Sequence, residues 1–498
     1  MIKKNMFIDG EWVKGASGAS IEVIDPSKGE PYALIPEATE QEIGLAVDAS
    51  RSAFDSGVWP RLPPSERSKF IHRLAEILEH KVAKLVDVET RNTGKPIKQS
   101  SNYDIPYAID NMHFLAGAAR ELNGISATEY NGEGTSFIRR EPVGVVAIIT
   151  PWNYPFVLTA WRVVAAMAVG NTVVVKPSSL TPMSTLEFAE ASKKAGIPHG
   201  VLNVVTGSGR KAGETLASNQ KVDMIAFTGS TEVGSRLQEI GAKSVKKVSL
   251  ELGGKAPFIV FEDADLDAAT EGAVVGGIIN NGQDCANATR FYVHRSKIAD
   301  FKKLLTQKLG IVRVGDPFDR TVDMGPMISS QQRERTEDYI RKGLEEGGQL
   351  LYGGDRPSIE GHENGYFIRP SAIYTENEES AIVKEEIFGP VLTVLPFEEY
   401  EDVIYRSNNV KYGLCASVWT KDVLKSARAL RDLRFGTVWV NDHLPVPSET
   451  PWGGFKQSGI GVSMSKFGLE EFTLIKHAYI DLTGKARKSW YYQIFGDQ

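Results

Sequence analysis

The sequence feature that most constrains the fold is an alternation of short apolar runs with helix-patterned segments after residue 143. The first run, 143–149, is apolar throughout, as expected for a parallel strand buried on both faces. Helix-boundary residues separate such runs, for example Thr181 and Pro182 before one predicted helix and Gly196 after it. This alternation predicts a parallel, doubly wound α/β sheet. Its predicted strands are 143–149, 171–175, 201–205, 224–227 and 248–252.

A second α/β series follows residue 252, so the chain is predicted to contain two doubly wound parallel α/β domains. Its predicted strands are 257–261, 291–294, 391–395, 415–419 and 437–440, and its predicted helices are 265–280, 297–309, 330–346, 399–407 and 422–433. Three helices are predicted before the first series, at 40–58, 64–94 and 101–123. We expect residues 1–122 and 143–251 to form one domain and 252–440 the other.

Two segments fall outside these domains. Residues 123–142 are mostly polar and strand-like, and predict a small β arm. The C-terminal stretch 470–490 is expected to be a tail; its aromatic residues, including 478–482 and the following 490–492, are predicted to be extended. This tail is expected to pair with the arm of the same chain or of another subunit.

Bulk properties exclude several classes of protein. The 498 residues carry a formal net charge of -6 and no basic run, which argues against a nucleic-acid binder. Two cysteines cannot form a disulfide framework, and this suits a reducing cytoplasm. The N-terminus lacks a signal-peptide core, and no apolar stretch approaches about 18 residues, so we expect a cytoplasmic protein without a membrane partner. No metal site is predicted.

The strongest candidates for chemistry are a thiol and a carboxylate. Cys285 follows a polar, turn-forming segment, 281–284, whereas Cys415 lies in an apolar run and is expected in the core. A lone cysteine is most often a small buried apolar residue, and that alternative stays open for Cys285. Glu251 ends an apolar strand ahead of a Gly-Gly pair, at the sheet edge where such folds bind ligands, although a solvated strand-end carboxylate is the alternative.

Other strand ends add polar groups to the same predicted edge. Asn153, between two prolines, is a candidate oxyanion donor, or else a helix-capping asparagine. The segment 228–234 follows a strand and opens a helix, so it is a better dinucleotide-phosphate site than 207–213, which is one residue too long for the usual glycine fingerprint. Lys176 follows another strand and could reach ribose hydroxyls.

These motifs resemble the aldehyde dehydrogenase superfamily almost end to end, most closely its aminobutyraldehyde and betaine-aldehyde dehydrogenase branch. The resemblance is carried by seven motifs in family order: Pro-Trp-Asn-Tyr-Pro at 151–155, Lys-Pro-Ser-Ser at 176–179, Phe-Thr-Gly-Ser-Thr-Glu-Val-Gly at 227–234, Glu-Leu-Gly-Gly-Lys at 251–255, Gly-Gln-Asp-Cys at 282–285, Glu-Glu-Ile-Phe-Gly-Pro at 385–390 and Pro-Trp-Gly-Gly-Phe-Lys at 451–456. It implies an aldehyde-dehydrogenase-like fold with a β oligomerisation arm, in a homodimer or homotetramer.

The resemblance also implies residue roles. Cys285 would be the nucleophile, Glu251 the general base and Asn153 the oxyanion donor in the NAD(P)-dependent oxidation of an aldehyde, through a thiohemiacetal and a thioester. Glu386 would hold the nicotinamide ribose. The cofactor site would be lined by Trp152, Lys176, Ser179, Gly209, Ser230, Leu252, Glu386 and Phe388. An apolar substrate funnel would contain Leu158, Trp161 and Trp452, and Asp104 or Asp110 would face a substrate ammonium or else be solvated helix charges.

One departure from the family pattern concerns the cofactor. The family often has glutamate where this chain has Ser179, and that carboxylate would repel a 2′-phosphate. Serine removes the repulsion and leaves Lys176 as a nearby cation. We therefore expect NADP to be accepted or preferred, alongside NAD, although serine could instead merely weaken ribose binding.

Two other functions use the same residues. The first is a CoA-acylating dehydrogenase or an esterase, which would act through the same thiol. The second is a catalytically silent, structural cofactor-binding protein. Glu251 argues against CoA acylation, which needs no hydrolytic base, and the presence of Cys285, Glu251 and Asn153 together argues against a silent protein. The expected substrate is a small amino- or hydroxyaldehyde.

Overall fold

The computed structural model of the chain describes residues 1–122 and 124–496. The strands are β1 (Ile2–Lys3), β2 (Met6–Ile8), β3 (Glu11–Val13), β4 (Ser20–Asp25), β5 (Glu30–Pro36), β6 (Ile125–Thr128), β7 (Gly134–Pro142), β8 (Val145–Ile149), β9 (Thr172–Lys176), β10 (Leu202–Val204), β11 (Met224–Thr228), β12 (Lys247–Glu251), β13 (Ala256–Val260), β14 (Ala288–His294), β15 (Gln349–Gly353), β16 (Ser371–Tyr374), β17 (Val391–Phe397), β18 (Tyr412–Gly413), β19 (Cys415–Trp419), β20 (Thr437–Val440), β21 (Phe455–Lys456), β22 (Gly459–Ile460) and β23 (Thr473–Asp481).

The helices are α1 (Glu40–Ser56), α2 (Pro64–Glu79), α3 (Val82–Thr93), α4 (Ile97–Gln99), α5 (Ile105–Ala118), α6 (Pro155–Ala168), α7 (Met183–Lys194), α8 (Glu214–Ser218), α9 (Thr231–Ala242), α10 (Leu266–Ile278), α11 (Ile298–Gly310), α12 (Ser330–Glu345), α13 (Ala381–Lys384), α14 (Tyr400–Asn408), α15 (Val423–Asp432), α16 (Ser465–Glu471) and α17 (Tyr492–Phe495). Tighter or wider helical turns occupy Ser100–Asp104, Ala119–Glu121, Gly209–Gly213, Ile279–Gly282, Arg295–Lys297 and Ser489–Tyr491.

The first large sheet has the strand order β22-β12-β11-β8-β9-β10-β2-β3. Its five central strands, from β12 to β10, pair in parallel. The edges are antiparallel, with β22 on one side and the hairpin of β2 and β3 on the other. The carboxyl ends of the parallel strands therefore meet along one edge, where open α/β sheets bind their ligands.

Helices cover both faces of this sheet. Successive side chains of each strand point to opposite faces, so each strand contributes to two cores. In β8, Val146 and Ile148 pack in a core with α6 and α7. Val145 and Ala147 pack in a second core with α1 and α8. This two-sided burial explains the uninterrupted apolar runs in the sequence and confirms the predicted doubly wound arrangement.

The second large sheet has the strand order β15-β16-β17-β14-β13-β19-β20 and is parallel except at β15. Phe258 and Val260 of β13 face one core, and Ile259 faces the other. The short connection of residues 252–255 joins this sheet to the first, directly after Glu251. The predicted α/β fold with two mainly parallel sheets is confirmed.

A small third sheet forms the predicted arm, with β7 between β6 and β23. Strand β23 pairs antiparallel with β7 of the same chain over the full length from Thr473 opposite Pro142 to Asp481 opposite Gly134. The expected pairing of tail and arm is therefore present within one chain. Asn123, where the predicted third helix and the arm meet, lies outside the described residues.

The structure corrects several boundaries. The predicted helix 64–94 is two helices, α2 and α3, broken at His80 and Lys81, where neither glycine nor proline marks the break. Residues 490–492 are helical rather than extended. The strands β4, β5, β15 and β16 were not predicted. In residues 1–122 and 124–496, no helix is both long and apolar enough to cross a membrane.

Candidate active site

A cleft with a volume of about 720 Å³ opens at the carboxyl edge of the first sheet. It lies where the ends of β8, β11 and β12 meet residues 283–285 and the loop that follows α13. The cleft brings together residues from five of the seven sequence motifs. The predicted site residues that line it are Trp152, Asn153, Leu158, Ser230, Glu251, Leu252, Cys285, Glu386 and Phe388.

Glu251 is the last residue of β12 and is only 3% exposed, which excludes the alternative of a solvated strand-end carboxylate. Its Oε2 accepts hydrogen bonds from Arg162 Nη2 and Thr228 Oγ1, both at 3.3 Å. Burial raises the pKa of Glu251, and the Arg162 guanidinium opposes this rise. The second oxygen, Oε1, is buried without a protein partner among the described residues. A buried carboxylate with one free oxygen can accept a proton from a water molecule.

The Arg162 contact gives a testable consequence. Arg162→Met removes the only cation paired with buried Glu251 within the described residues, so the pKa of Glu251 rises further. Because base catalysis needs the ionised carboxylate, the acid limb of the kcat–pH profile should move to higher pH. Breaking a buried ion pair of this kind also costs about 3 kcal/mol of folding stability at neutral pH.

The matched control is Arg162→Lys, which keeps the charge. It should restore most of the acid limb even if the Ser249 hydrogen bond of Arg162 is lost. Thermal unfolding and kcat between pH 5 and 9 measure the two effects. An unchanged pH profile in Arg162→Met would show that Arg162 does not tune Glu251.

Cys285 lies on a loop of unusual backbone geometry. Asn280, Asn281 and Gly282 adopt consecutive left-handed φ angles of 48°, 59° and 73°. The Asn281 side chain stabilises this turn through Gly94 O, Pro326 O and Gly325 N at 2.7–3.2 Å. Gly282 is required, because a Cβ there would lie 2.3 Å from Pro390 N. The turn changes the direction of the chain after α10 so that Cys285 faces the cleft.

The surroundings of the Cys285 thiol are acidic. The side chain is half-buried, unlike Cys415, which is fully buried in the core as predicted. Burial raises the pKa of the Cys285 thiol, and the carboxylates of Asp284, Glu251 and Glu386 add to this rise. The thiol is therefore protonated at neutral pH in this arrangement of the protein.

The Gly-Gly pair after Glu251 permits two close approaches. A Cβ at Gly253 would lie 2.3 Å from Glu386 Oε2, and a Cβ at Gly254 would lie 2.2 Å from the carbonyl oxygen of Cys285. Gly254 N also donates to Glu386 Oε1 at 2.8 Å. This crossing places the end of the first sheet directly against the thiol loop.

Asn153 is buried beside the same loop. Its Nδ2 donates to Gln283 O at 3.1 Å, and its carbonyl accepts from Asn280 Nδ2 at 2.9 Å. The residue before α6 is Tyr154, whose side chain makes no capping hydrogen bond, and the Phe156 N–H at the helix start donates to Glu89 instead, so the alternative of a capping asparagine is not supported. The amide thus lies on the wall that carries Cys285.

The other half of the cleft has features of a nucleotide site. Ser230 caps α9, its Oγ accepting from Val233 N at 3.3 Å, so the amino end of this helix opens into the cleft. Phe388 has a left-handed φ of 61° and contacts Trp152 edge-on, with ring centroids 5.2 Å apart. Burial raises the pKa of the Glu386 carboxyl to about 7.

Some predicted site residues do not line this cleft. Lys176 ends β9, where burial lowers its pKa to about 8 and Glu37 opposes the shift. Ser179 and Gly209 follow the ends of β9 and β10 in the same sheet. Their roles stay predictions.

The predicted substrate-side residues lie behind the thiol. Trp161 and Trp452 are buried in the core against which Cys285 packs. Asp110 accepts from Ser448 Oγ at 2.6 Å. Asp104 instead forms a fully buried ion pair with Lys95 at 2.5 Å, so it is neither a solvated helix charge nor a free anchor for substrate.

Sequence reasoning missed the residues that hold the loop of Glu386. Gln332 Nε2 donates to Ile387 O and Phe388 O at 3.1 and 2.9 Å, and Arg335 Nη2 donates to Glu386 O at 2.8 Å. These polar residues lie on the strongly charged helix α12, where no local pattern distinguishes them from solvated side chains. Arg162, inside the otherwise apolar α6, was missed as well.

A model of the aldehyde dehydrogenase family matches residues 12–478. The chain belongs to this family. Betaine aldehyde dehydrogenase of Bacillus subtilis (strain 168) is 38% identical over 490 residues, which are 98% of this chain and 100% of that protein. Human (Homo sapiens) retinal dehydrogenase 2 is 39% identical over 482 residues, 96% of this chain and 92% of that protein.

The fold of this aldehyde dehydrogenase agrees with solved structures. Betaine aldehyde dehydrogenase from Staphylococcus aureus in complex with NAD+ superposes with a TM-score of 0.95 at 35% identity, covering 98% of this chain and 97% of that one. The predicted family, fold and enzyme class are thereby confirmed. Relatives named for betaine aldehyde and for retinal are about equally similar, so overall identity does not select a substrate.

Proposed function

We propose that this aldehyde dehydrogenase oxidises a small aldehyde to its carboxylic acid through a thioester on Cys285, which Glu251 hydrolyses as general base. The observation that carries the proposal is that Cys285, Glu251 and Asn153 line one cleft with the amino end of α9 and Glu386. The nucleophile, base and oxyanion donor thereby share a cavity with groups suited to a dinucleotide.

The residues present fit a nicotinamide dinucleotide. The amino end of α9 offers backbone N–H groups and a positive helix end to a pyrophosphate. The Glu386 carboxylate can accept hydrogen bonds from ribose hydroxyls, and Trp152 and Phe388 provide aromatic walls nearby. When bound, the dinucleotide supplies the acceptor for the hydride that leaves the aldehyde carbon.

The first half-reaction is assigned to Cys285 and Asn153. The thiol loses its proton to solvent, and the sulfur forms a bond to the aldehyde carbonyl carbon. The Asn153 amide and the Cys285 N–H stabilise the oxyanion. Loss of the hydride, with its electron pair, then leaves a thioester on Cys285. Because burial and acidic neighbours raise the pKa of the thiol, this half-reaction should speed up as pH rises.

The second half-reaction is assigned to Glu251. Its carboxylate takes a proton from a water molecule, whose oxygen attacks the thioester carbon. The carbon–sulfur bond then breaks, the acid leaves, and the proton held by Glu251 is passed to the sulfur, which restores the thiol and the carboxylate. The raised pKa of Glu251 makes it a stronger base than an exposed carboxylate, while the Arg162 guanidinium opposes the rise and favours the ionised form.

We further propose that NADP is accepted, and preferred, because Ser179 removes a carboxylate from the adenosine ribose site and Lys176 supplies a cation. Ser179→Glu should lower kcat/KM for NADP by about 10-fold or more, through like-charge repulsion with the 2′-phosphate, while leaving kcat/KM for NAD equal or higher. Steady-state kinetics with both cofactors measures this. A wild-type kcat/KM for NAD ten-fold above that for NADP would contradict the proposal.

The proposed substrate class is a small amino- or hydroxyaldehyde. It rests on the family branch and on Asp110, whose carboxylate lies on α5 beside Ser448. The proposed apolar funnel of Leu158, Trp161 and Trp452 would hold the remainder of the aldehyde. Initial rates over amino-, hydroxy- and aromatic aldehydes test this assignment, because a preference for aromatic aldehydes would exclude it.

One assay separates the proposed function from its rivals. The protein is mixed with NAD or NADP and an aldehyde panel, with and without CoA, and the absorbance of reduced cofactor is followed. Turnover without CoA supports the proposal, whereas turnover that requires CoA identifies a CoA-acylating enzyme. Hydrolysis of an ester without any cofactor reduction identifies an esterase, and no reaction at all identifies a silent cofactor-binding protein.

We also propose that 1–122 with 143–251 form the cofactor domain, 252–440 the thiol domain, and 123–142 with 470–490 an oligomerisation arm in a homodimer or homotetramer. Strand β23 is an edge strand with exposed Leu474, Ile475 and Ile480, a surface that a second subunit could cover. A cytoplasmic location likewise stays a prediction from the cysteine content.

A further inference from the structure

The segment 284–287 holds Cys285 in a tight turn that depends on its neighbour Asp284. The Asp284 carbonyl accepts from Asn287 N at 3.1 Å. The Asp284 side chain closes the same turn, because its Oδ1 accepts from Ala286 N at 2.8 Å. Cys285 lies between these two hydrogen bonds, so the position of its sulfur follows the position of the Asp284 carboxylate.

The other oxygen of Asp284 is held by Tyr154. The Tyr154 hydroxyl donates to Asp284 Oδ2 at 2.7 Å. Tyr154 is buried and follows Asn153 directly, immediately before α6. Asn153 therefore contacts Asn280 and Gln283, just before this turn, through its backbone and side chain. Tyr154 contacts Asp284 of the turn itself through a charged hydrogen bond.

Tyr154 itself packs against a buried ion pair. Lys95 and Asp104 form an ion pair with neither side chain exposed, and Lys95 Nζ lies 4.1 Å from the centre of the Tyr154 ring. The Gln99 side chain links Asp104 to Tyr154, because its Nε2 lies 3.4 Å from Asp104 Oδ1 and 3.5 Å from Tyr154 Oη. Its Oε1 accepts from Asn280 N at 3.0 Å.

A fourth group anchors the start of α6. Glu89 is fully buried, and its Oε1 accepts from Phe156 N at 3.3 Å. Its Oε2 has no protein partner among the described residues. Burying the carboxylates of Glu89 and Asp104 and the ammonium of Lys95 costs free energy that an apolar core would avoid, so these residues are poorly explained by folding stability alone. They are better explained if they fix one conformation of the adjacent turn.

We propose that Tyr154 and Asp284 are positioning residues for the Cys285 thiol, and that Lys95 and Asp104 hold Tyr154 in place for this purpose. The proposal rests on the proposed function, since it assigns these residues to the presentation of the nucleophile. The positioning role can be tested separately from the assignment of the nucleophile, because the reactivity of the Cys285 thiol can be measured without any aldehyde.

The electrostatic consequence concerns the thiol as well. The titratable groups that face Cys285 are Asp284, Glu251, Glu386 and Cys415. Asp284 is faced in turn by Tyr154, Tyr103 and Lys95. Burial raises the pKa of the Asp284 carboxyl, and its hydrogen bonds from Ala286 and Tyr154 oppose the rise. An ionised Asp284 disfavours the thiolate, so it holds the thiol in its protonated form.

Two substitutions of Asp284 separate charge from geometry. Asp284→Asn keeps an oxygen that can accept from Ala286 N and removes the charge. The midpoint of Cys285 alkylation by iodoacetamide, followed from pH 6 to 10, should move down by about one pH unit. Asp284→Ala removes the turn hydrogen bond too, and should lower kcat for aldehyde oxidation roughly 10-fold through misplacement of the sulfur.

Tyr154→Phe tests the second half of the proposal. It should also lower kcat roughly 10-fold, with KM for the cofactor unchanged. Tyr154→Phe combined with Asp284→Ala should be no slower than Asp284→Ala alone, because both remove one linked contact. The matched control is Tyr292→Phe, which removes another hydrogen bond from a buried tyrosine to a carboxylate, to Glu378 at 3.0 Å, in the second sheet. It should lose comparable thermal stability with unchanged kcat and alkylation.

The outcomes are distinct. An alkylation midpoint unmoved in Asp284→Asn, together with Tyr154→Phe behaving like Tyr292→Phe, would overturn the proposal. Cys285→Ser identifies the alkylated peptide by its absence in mass spectra and separately tests the proposed function. If Cys285→Ser still oxidises aldehydes while the midpoint shift is present, the proposed function fails and the positioning role stands.

Discussion

Glu251→Gln is expected to oxidise about one equivalent of aldehyde rapidly and then to turn over about 10²–10⁴-fold more slowly than the wild type. The amide cannot take a proton from water, so hydrolysis of the thioester stalls after the hydride has left. Rapid mixing should show a burst of reduced cofactor close to the enzyme concentration. Mass spectrometry should then find the acyl group on the peptide that contains Cys285.

The structure makes glutamine a suitable replacement. Arg162 and Thr228 donate to one oxygen of Glu251, and glutamine can present its carbonyl oxygen to them. Cys285→Ser is the control, since it should show neither burst nor acylation. Absence of both signals in Glu251→Gln would mean that Glu251 acts before the thioester forms, and would remove it from its assigned step.

Asn153→Ala is expected to lower kcat for aldehyde oxidation about 10²–10³-fold, the usual cost of removing one oxyanion donor. The same variant should alkylate with iodoacetamide at nearly the wild-type rate, because displacement of iodide creates no oxyanion. Comparing the two rates therefore separates chemistry from structure. A parallel fall in both would show that Asn153 mainly supports the Gln283 turn through its 3.1 Å hydrogen bond.

The polar residues at the ends of apolar strands predicted the central part of the site. Glu251, Asn153 and Ser230 each follow an apolar run, and the parallel sheet brings such ends together at one edge. Cys285 needed a different clue, the polar turn before it. The structure adds the reason for that turn, which is three consecutive left-handed residues ending at Gly282.

Other parts of the site depend on contacts between residues distant in sequence, which no local pattern reveals. Arg162 lies in an apolar helix, and Glu251, its partner, follows 89 positions later. Lys95 and Asp104 look like ordinary surface charges in the sequence, yet both are fully buried. The break between α2 and α3 lacks glycine and proline, so the helical apolar spacing predicted one helix there.

The edges of the first sheet have a consequence for biosynthesis. One edge is the hairpin of β2 and β3 near residue 10, and the other is β22, whose Gly459 pairs with Glu251. Leu252 N also donates to Ser458 O at 2.8 Å. During synthesis on the ribosome, some 200 further residues must therefore be added after Glu251 before β22 can cover the outer edge of this strand. The first sheet of the nascent chain thus presents an open strand edge while residues 252–458 are being synthesised, and Glu251 acquires its final surroundings only when the chain is nearly complete.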